Sequence, residues 1–245
     1  MSEPRLRVGI IQSSYIPWRG YFDLIDDVDL FIFLEDVRYS HGTWRTRNQI
    51  KTPQGLLWLT VPVHHDSQTL IQDVDIDYRH RWVDKHIGSL RQHYGKAPYF
   101  ALYSQPVFDI LASRLKTLSA LNIALSRQIM SMLGIRTDTR LSSEFSATGQ
   151  KDDRLLNLLR AAGATLYLSG PTAKAYIDPA RFADAGIGLS YKTYEYAEYS
   201  QLYGAFQGQV SVLDLIFNCG PESRQHLKSK YPNETAIDDS FAGAR

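Results

Sequence analysis

Residues 7–34 read RVGIIQSSYIPWRGYFDLIDDVDLFIFL, and their pattern decides the fold. Arg7–Gln12 is a short run rich in Val and Ile, which reads as a buried strand. Pro17 and Gly20 interrupt regular structure in the loop that follows. Tyr21–Asp27 then reads as a helix with Phe22, Leu24 and Ile25 toward one side. Leu30–Leu34 (LFIFL) is a second buried strand. A strand, a loop opening a helix and a second buried strand within about thirty residues make a βαβ unit. Such units build parallel sheets, whose ligands bind beyond the carboxyl ends of the strands.

The pattern extends outward from there. Asn48–Val63 reads as two strands around a Pro53-Gln54-Gly55 turn, with Pro62 ending the second. Ile71–Asp77 alternates apolar and polar, as a half-exposed strand does. The middle is helical, over Arg79–Tyr94, Pro98–Lys116 and Leu118–Leu133, where Gly134 supplies the stop. The last third alternates again, with strands at Thr137–Leu141, Ala164–Leu168 and Ile187–Tyr191. Helices are expected at Lys151–Ala162, Asp178–Ala185 and Val212–Phe217. The expectation is one α/β domain over 1–230 with a helical insertion at about 79–134, then a flexible tail over 231–245.

Composition narrows the class. The chain has 245 residues, 44% hydrophobic and 22% charged, with a net charge of +1. That balance excludes a wholly disordered chain and gives no bulk attraction to nucleic acid. No apolar run approaches the roughly 18 residues of a membrane span, so no membrane insertion is expected. MSEPRLRVGIIQ lacks a signal-peptide core, which points to the cytoplasm. One cysteine, Cys219, excludes internal disulfides and thiolate clusters. No metal ligand set is expected, because the histidines lack metal-binding spacing. Of the aromatic residues 15 are tyrosine, against 10 phenylalanine and 4 tryptophan. Tyrosine suits a surface that is both flat and wet.

Four polar segments could carry chemistry. Gln12, Tyr15, Trp18, Gly20 and Tyr21 follow the first strand, where backbone N–H groups at a helix start suit phosphate. Trp18-Arg19-Gly20-Tyr21 is similar to a His-x-Gly-His nucleotide-binding turn with aromatics in the histidine positions. The same residues also fit a helix start packed by Trp and Tyr. Arg45 and Arg47 share one side of an extended segment that ends at Asn48, and two guanidinium forks bind phosphate or carboxylate. Asp36, at the end of the second strand, suits a hydroxyl, an amine or Mg²⁺, or a salt bridge to arginine. Ser142 and Ser143 precede Lys151 and Arg154, as in a phosphate contact or a helix cap. Ser169, Gly170 and Tyr176 follow a buried strand, but no nucleophile elbow surrounds Ser169. His86 is a candidate acid/base on a helix face, or a packed histidine.

Taken in order, these motifs resemble the WbqC-like family from about Val8 to Leu227. The resemblance rests on Tyr15-Ile-Pro17-Trp18-Arg-Gly20-Tyr21-Phe22, Asp29–Tyr39, Trp44–Lys51, Trp58–Val63, Lys85-His86 and Ala97–Phe100. It continues through Leu121-Asn122, Leu133–Ile135, Ser142-Ser143, Arg154-Leu155, Gly163–Tyr176 and Leu213–Gly220. The chain departs from the family pattern at Ser13, where proline is usual, and at Thr46, where asparagine is usual. The resemblance implies work on amino-sugar precursors of O-antigen-type polysaccharides, such as placing glycine or another acyl group on a sugar amine. Together with the segments above, it leads to an α/β fold with an open, mainly parallel Rossmann-like sheet of the nucleotidyltransferase or HUP kind, capped by the inserted helices. The expected enzyme is an amide-forming ligase or an acyl or aminoacyl transferase, with ATP-dependent activation of the carboxylate as the leading route and ATP and Mg²⁺ as its cofactors. Asp36 and His86 would handle protons, and the other named residues would bind substrate. Partners would be a nucleotide-linked amino sugar and a small carboxylate such as glycine, with a homo-oligomer left open. The alternatives are a transferase using a preactivated acyl donor and a non-catalytic sugar-nucleotide binding protein.

Overall fold

A computed structural model describes residues 5–238. Its centre is a six-stranded sheet in the order β10-β9-β8-β1-β2-β7. These strands are β1 (Arg7–Ile11), β2 (Leu30–Phe33), β7 (Asp138–Leu141), β8 (Leu166–Ser169), β9 (Gly188–Tyr191) and β10 (Glu234–Ile237). All neighbours are parallel except β9 and β10. The chain leaves β1 for β2 and β7 on one side, then returns to β8 and β9 on the other. The order therefore reverses between β1 and β8, which opens a crevice at their carboxyl ends.

Side-chain alternation divides the core into two layers. Phe31 and Phe33 face one layer, and Val8, Ile10, Leu30 and Ile32 face the other. The first layer holds α1 (Arg19–Asp26), α2 (Trp82–Tyr94), α3 (Phe100–Ala112), α4 (Leu118–Leu133) and α7 (Val212–Cys219). The second holds α5 (Lys151–Ala161) and α6 (Pro179–Asp184). Helix α1 lies close on β1 because Gly9 has no side chain. A Cβ there would meet Leu24 Cδ2 at 2.9 Å. Helix α4 stops at Gly134, whose φ of 68° is the left-handed cap that glycine tolerates.

Smaller elements frame the carboxyl edge. β3 (Arg47–Thr52) and β4 (Gly55–Thr60) form the expected hairpin, and β5 (Val63–His64) pairs β6 (Asp75–Ile76). The strand expected over Ile71–Asp77 is instead a 3-10 turn at Ile71–Asp73 followed by the short β6. Ile71 and Val74 are buried three residues apart, a helical rather than a strand period. The expected tail over 231–245 divides. Glu234–Ile237 pairs antiparallel with β9, and 239–245 lie outside the described residues. No helix among the described residues is long and apolar enough to cross a membrane.

Candidate functional site

A cavity of about 470 Å³ opens at the point where the strand order reverses. Ile11, Ser14, Pro17, Trp18 and Tyr21 line it from the end of β1 and the start of α1. Gly170, Pro171 and Thr172 line it from the end of β8. Trp44, Arg45 and Asn48 come from the segment entering β3, and Tyr194 and Gln209 from the long loop after β9. The walls are thus aromatic, with polar groups at separated points, as in sites for flat polar ligands.

The loop after β1 is held in an unfavourable shape. Ile16 has φ of 36°, which a β-branched residue rarely adopts. Asn48, on β3, holds it there. Its Nδ2 donates to the carbonyls of Tyr15 at 3.2 Å and Ile16 at 2.9 Å. Trp18 then packs its indole over Gly20, where a Cβ would lie 2.4 Å from Trp18 Cζ2. Gly20 is therefore the seat of the Trp18 indole, as in the packed-helix reading. Arg19 is withdrawn from ligand. It is buried, donates to the Ala197 carbonyl at 2.8 Å, and lies over the Tyr196 ring at 4.5 Å.

Arg45 is the charged group of the cavity wall. Its guanidinium donates to Gln12 Oε1, and among the described residues it has no carboxylate partner within salt-bridge distance. Burial lowers its pKa, with Glu35 and two tyrosines acting in the opposite direction. An arginine stays charged regardless, so the cavity presents a cation whose solvation is incomplete. Tyr21 and Tyr194 keep protonated hydroxyls, because burial pushes both well above the usual tyrosine value. The Tyr21 hydroxyl donates to the Gln12 carbonyl at 3.3 Å.

Beside the cavity, a polar strip ties the carboxyl ends of β1, β2 and β7. Glu35 accepts from the Ser13 N–H at 2.7 Å and from Ser13 Oγ at 2.9 Å. Both bonds use Ser13, and a proline in its place would have no N–H to give. Ser142 Oγ accepts from the Glu35 N–H at 3.1 Å and donates to Asp36 Oδ1 at 2.6 Å. Arg154 completes the strip by pairing with Asp36. Asp36 is therefore a salt-bridged carboxylate, not a free acid/base, and its arginine is Arg154 from α5. Arg154 and Ser142 are engaged with it rather than turned to the cavity.

Other expected site residues lie elsewhere. His86 is buried in the core, and its Nδ1 accepts from the Tyr15 hydroxyl at 2.8 Å. Burial lowers its pKa to about 4, so it is neutral and out of reach of a ligand. Tyr15 goes with it into the core. Arg47 lies over the Trp58 ring at 4.5 Å, outside the cavity. Lys151 and Ser143 are exposed at the surface. Ser169 is buried and donates to the Tyr167 hydroxyl at 3.1 Å. Tyr176 is 67% exposed beyond the rim. Of the expected residues, Trp18, Tyr21, Arg45, Asn48 and Gly170 meet at the cavity, with Gln12 behind Arg45 and Gly20 beneath Trp18.

The loop after β9 supplies wall through Tyr194, one of the tyrosines that crowd residues 191–203. Tyr194 stands edge-on to Trp18, with ring centroids 5.1 Å apart. The loop is anchored by Asp214 at the start of α7. Its carboxylate accepts from the Tyr94 hydroxyl at 2.8 Å, the Tyr199 hydroxyl at 2.9 Å and Gln201 Nε2 at 2.7 Å. Burial pushes this carboxyl up, and the three donors offset part of that cost.

Fold and site together define an α/β protein with an aromatic cavity, walled in part by one arginine, at the switch point of its sheet. The WbqC-like protein family model matches residues 12–226, and the chain belongs to that family. It is also similar to the uncharacterized protein Rv1507c of Mycobacterium tuberculosis (strain ATCC 25618 / H37Rv). The two are 42% identical over 231 residues, which span 91% of this chain and 97% of the relative. No solved structure matches the chain.

Proposed function

We propose that the cavity binds a nucleotide-linked amino sugar and that the chain transfers an acyl group to its amine. The observation that carries this reading is Arg45, a partly buried cation without a carboxylate partner in an aromatic crevice. An anion attached to a flat ring satisfies both features, and a sugar nucleotide supplies both. The strand order supports it as well. Taken alone, the parallel strands run in the 3-2-1-4-5 order of a Rossmann-like sheet, which binds nucleotides at this crevice.

Amide formation needs an amine held against an activated carbonyl. Trp18, Tyr194 and Trp44 would hold the rings, Arg45 the phosphate, and the Asn48 and Gly170 region the backbone rim. Positioning of this kind can supply a large part of the barrier reduction. The titratable groups in the cavity wall, among the described residues, are Tyr21, Arg45 and Tyr194. None of them titrates near neutral pH, so the wall supplies no evident general base.

The wall carries one cation among the described residues, which matches the phosphates of the sugar nucleotide alone and favours a donor already activated over ATP-dependent activation within this cavity. ATP would supply an acyl-adenylate, and Mg²⁺ would assist its phosphates. Asp36, the expected magnesium contact, is engaged by Arg154 and Ser142. The two routes are separated by incubating the protein with a UDP- or dTDP-linked amino sugar and glycine, with ATP or with a thioester or aminoacyl-tRNA donor. Amide product by mass spectrometry with a preactivated donor is the expected result. Product with AMP release supports the ATP route, and tight binding without turnover under any donor supports a non-catalytic binding protein.

A further inference from the structure

Outside the cavity mouth, Trp44 is 48% exposed and Trp58 is 41% exposed. Their ring centroids are 5.5 Å apart, with planes inclined at 34°. The Arg47 guanidinium lies 4.5 Å from the Trp58 ring centroid. No ion pair or side-chain hydrogen bond engages Arg47 among the described residues, so its donors remain available beside the rings. Trp44 belongs to this platform and to the cavity wall at once. Leu56, two residues before Trp58 on the same face of β4, extends the exposed apolar surface. Leaving two indoles half open to water forgoes a large burial gain, and such patches mark binding surfaces.

The chemistry of the platform differs from that of the cavity. It is open, flat and apolar, with a forked donor at its edge. A pyranose ring has an apolar C–H face and a rim of hydroxyls that stay partly hydrated. It suits such a surface better than a nucleobase, which gains more from an enclosed slot.

We propose that Trp44, Trp58 and Arg47 form a second subsite that takes the sugar ring of the substrate, while the cavity takes its nucleotide part. The proposal rests on the cavity reading above. Trp44 joins the two subsites, so one extended ligand can occupy both.

The four tryptophans make this testable, because each indole N–H gives one peak in a ¹⁵N correlation spectrum, assignable with Trp→Phe variants. The probes are UDP, dTDP, their N-acetylglucosamine or glucose conjugates, and methyl N-acetylglucosaminide alone. The expected result is that Trp18 and Trp44 move with every nucleotide, while Trp58 moves only with ligands that carry a pyranose. Trp82, in the core, stays still. Trp58→Ala should weaken the sugar nucleotide about tenfold and leave the nucleoside diphosphate unchanged, a difference of about 1.4 kcal/mol. If Trp18 moves with nucleotide and Trp58 ignores every sugar, the platform is overturned and the cavity reading stands. If the methyl glycoside alone moves Trp58 while no nucleotide moves Trp18, the platform stands and the cavity reading falls. Shifts of Trp58 that follow protein concentration instead of ligand assign the surface to a second copy and overturn the proposal. No shift with any probe overturns both.

Discussion

At the residue scale, two aromatic–glycine and asparagine–backbone arrangements set the shape of the cavity. Gly20 sits under the Trp18 indole with no space for a methyl group. Gly20→Ala should therefore destabilise the protein by about 1–3 kcal/mol through overpacking, read as a lower urea midpoint with unchanged slope. Asn48 holds Ile16 in its left-handed conformation through two carbonyls. Asn48→Ala removes both bonds and should cost about 2–4 kcal/mol in the same measurement, because two buried carbonyls lose their donor. The placement of Trp18, Tyr21 and Arg45 at the carboxyl edge of the sheet was legible in the sequence, since strand-end loops and arginines announce themselves by type. Their true partners were not. Gly20 reads equally as a phosphate turn and as a seat for an indole, and only packing decides between them. Asp36 reads equally as a ligand contact and as the partner of an arginine, and nothing in its neighbourhood says that the arginine comes from a helix more than a hundred residues later.

At the element scale, α2 is fastened to the β1 loop through the Tyr15–His86 bond, and its ring also hydrogen-bonds the Thr60 backbone. Burial holds His86 at about 4, below the ordinary histidine value of 6.5. The unfolded chain therefore binds a proton that the folded chain refuses between about pH 6.5 and pH 4. Stability should fall as pH drops through that window, by at most about 3 kcal/mol. His86→Gln should flatten this part of the pH–stability profile, which chemical denaturation at stepped pH measures. Long periodic elements were legible in the sequence. The stop of α4 at Gly134 and the Asp178 cap of α6 both stand where their residue types place them. The segment at 71–77 misled because IQDVDID alternates in sequence, yet a 3-10 turn buries Ile71 and Val74 on one side.

At the scale of the whole molecule, the last quarter of the chain closes on α1 through charge pairs. Lys192, just after β9, pairs with the fully buried Asp23 at 2.8 Å and also with Asp27. Lys228 joins Asp27 and Asp26 from the C-terminal segment. Removing one partner of such a pair leaves an uncompensated buried charge. Lys192→Met should cost about 3–5 kcal/mol in urea denaturation. The parallel sheet was legible from residues 7–34, because LFIF and VGII are apolar on both faces, as strands covered by helices must be. The reversal of strand order was not, since nothing in β7 or β8 says on which side of β1 each will pair. It is this reversal that brings Gly170 and Tyr194 to Trp18 and Arg45.

The central claim is that this crevice holds an anionic ligand through Arg45. Isothermal titration of the wild type, Arg45→Ala and a distant control, Lys116→Ala, with UDP- and dTDP-linked N-acetylglucosamine or glucose tests it most directly. The account predicts one site per chain in the wild type and the control, and at least a tenfold loss of affinity in Arg45→Ala, worth about 1.4 kcal/mol or more. An Arg45→Ala protein that keeps its fold and binds these ligands as tightly as the wild type would contradict it.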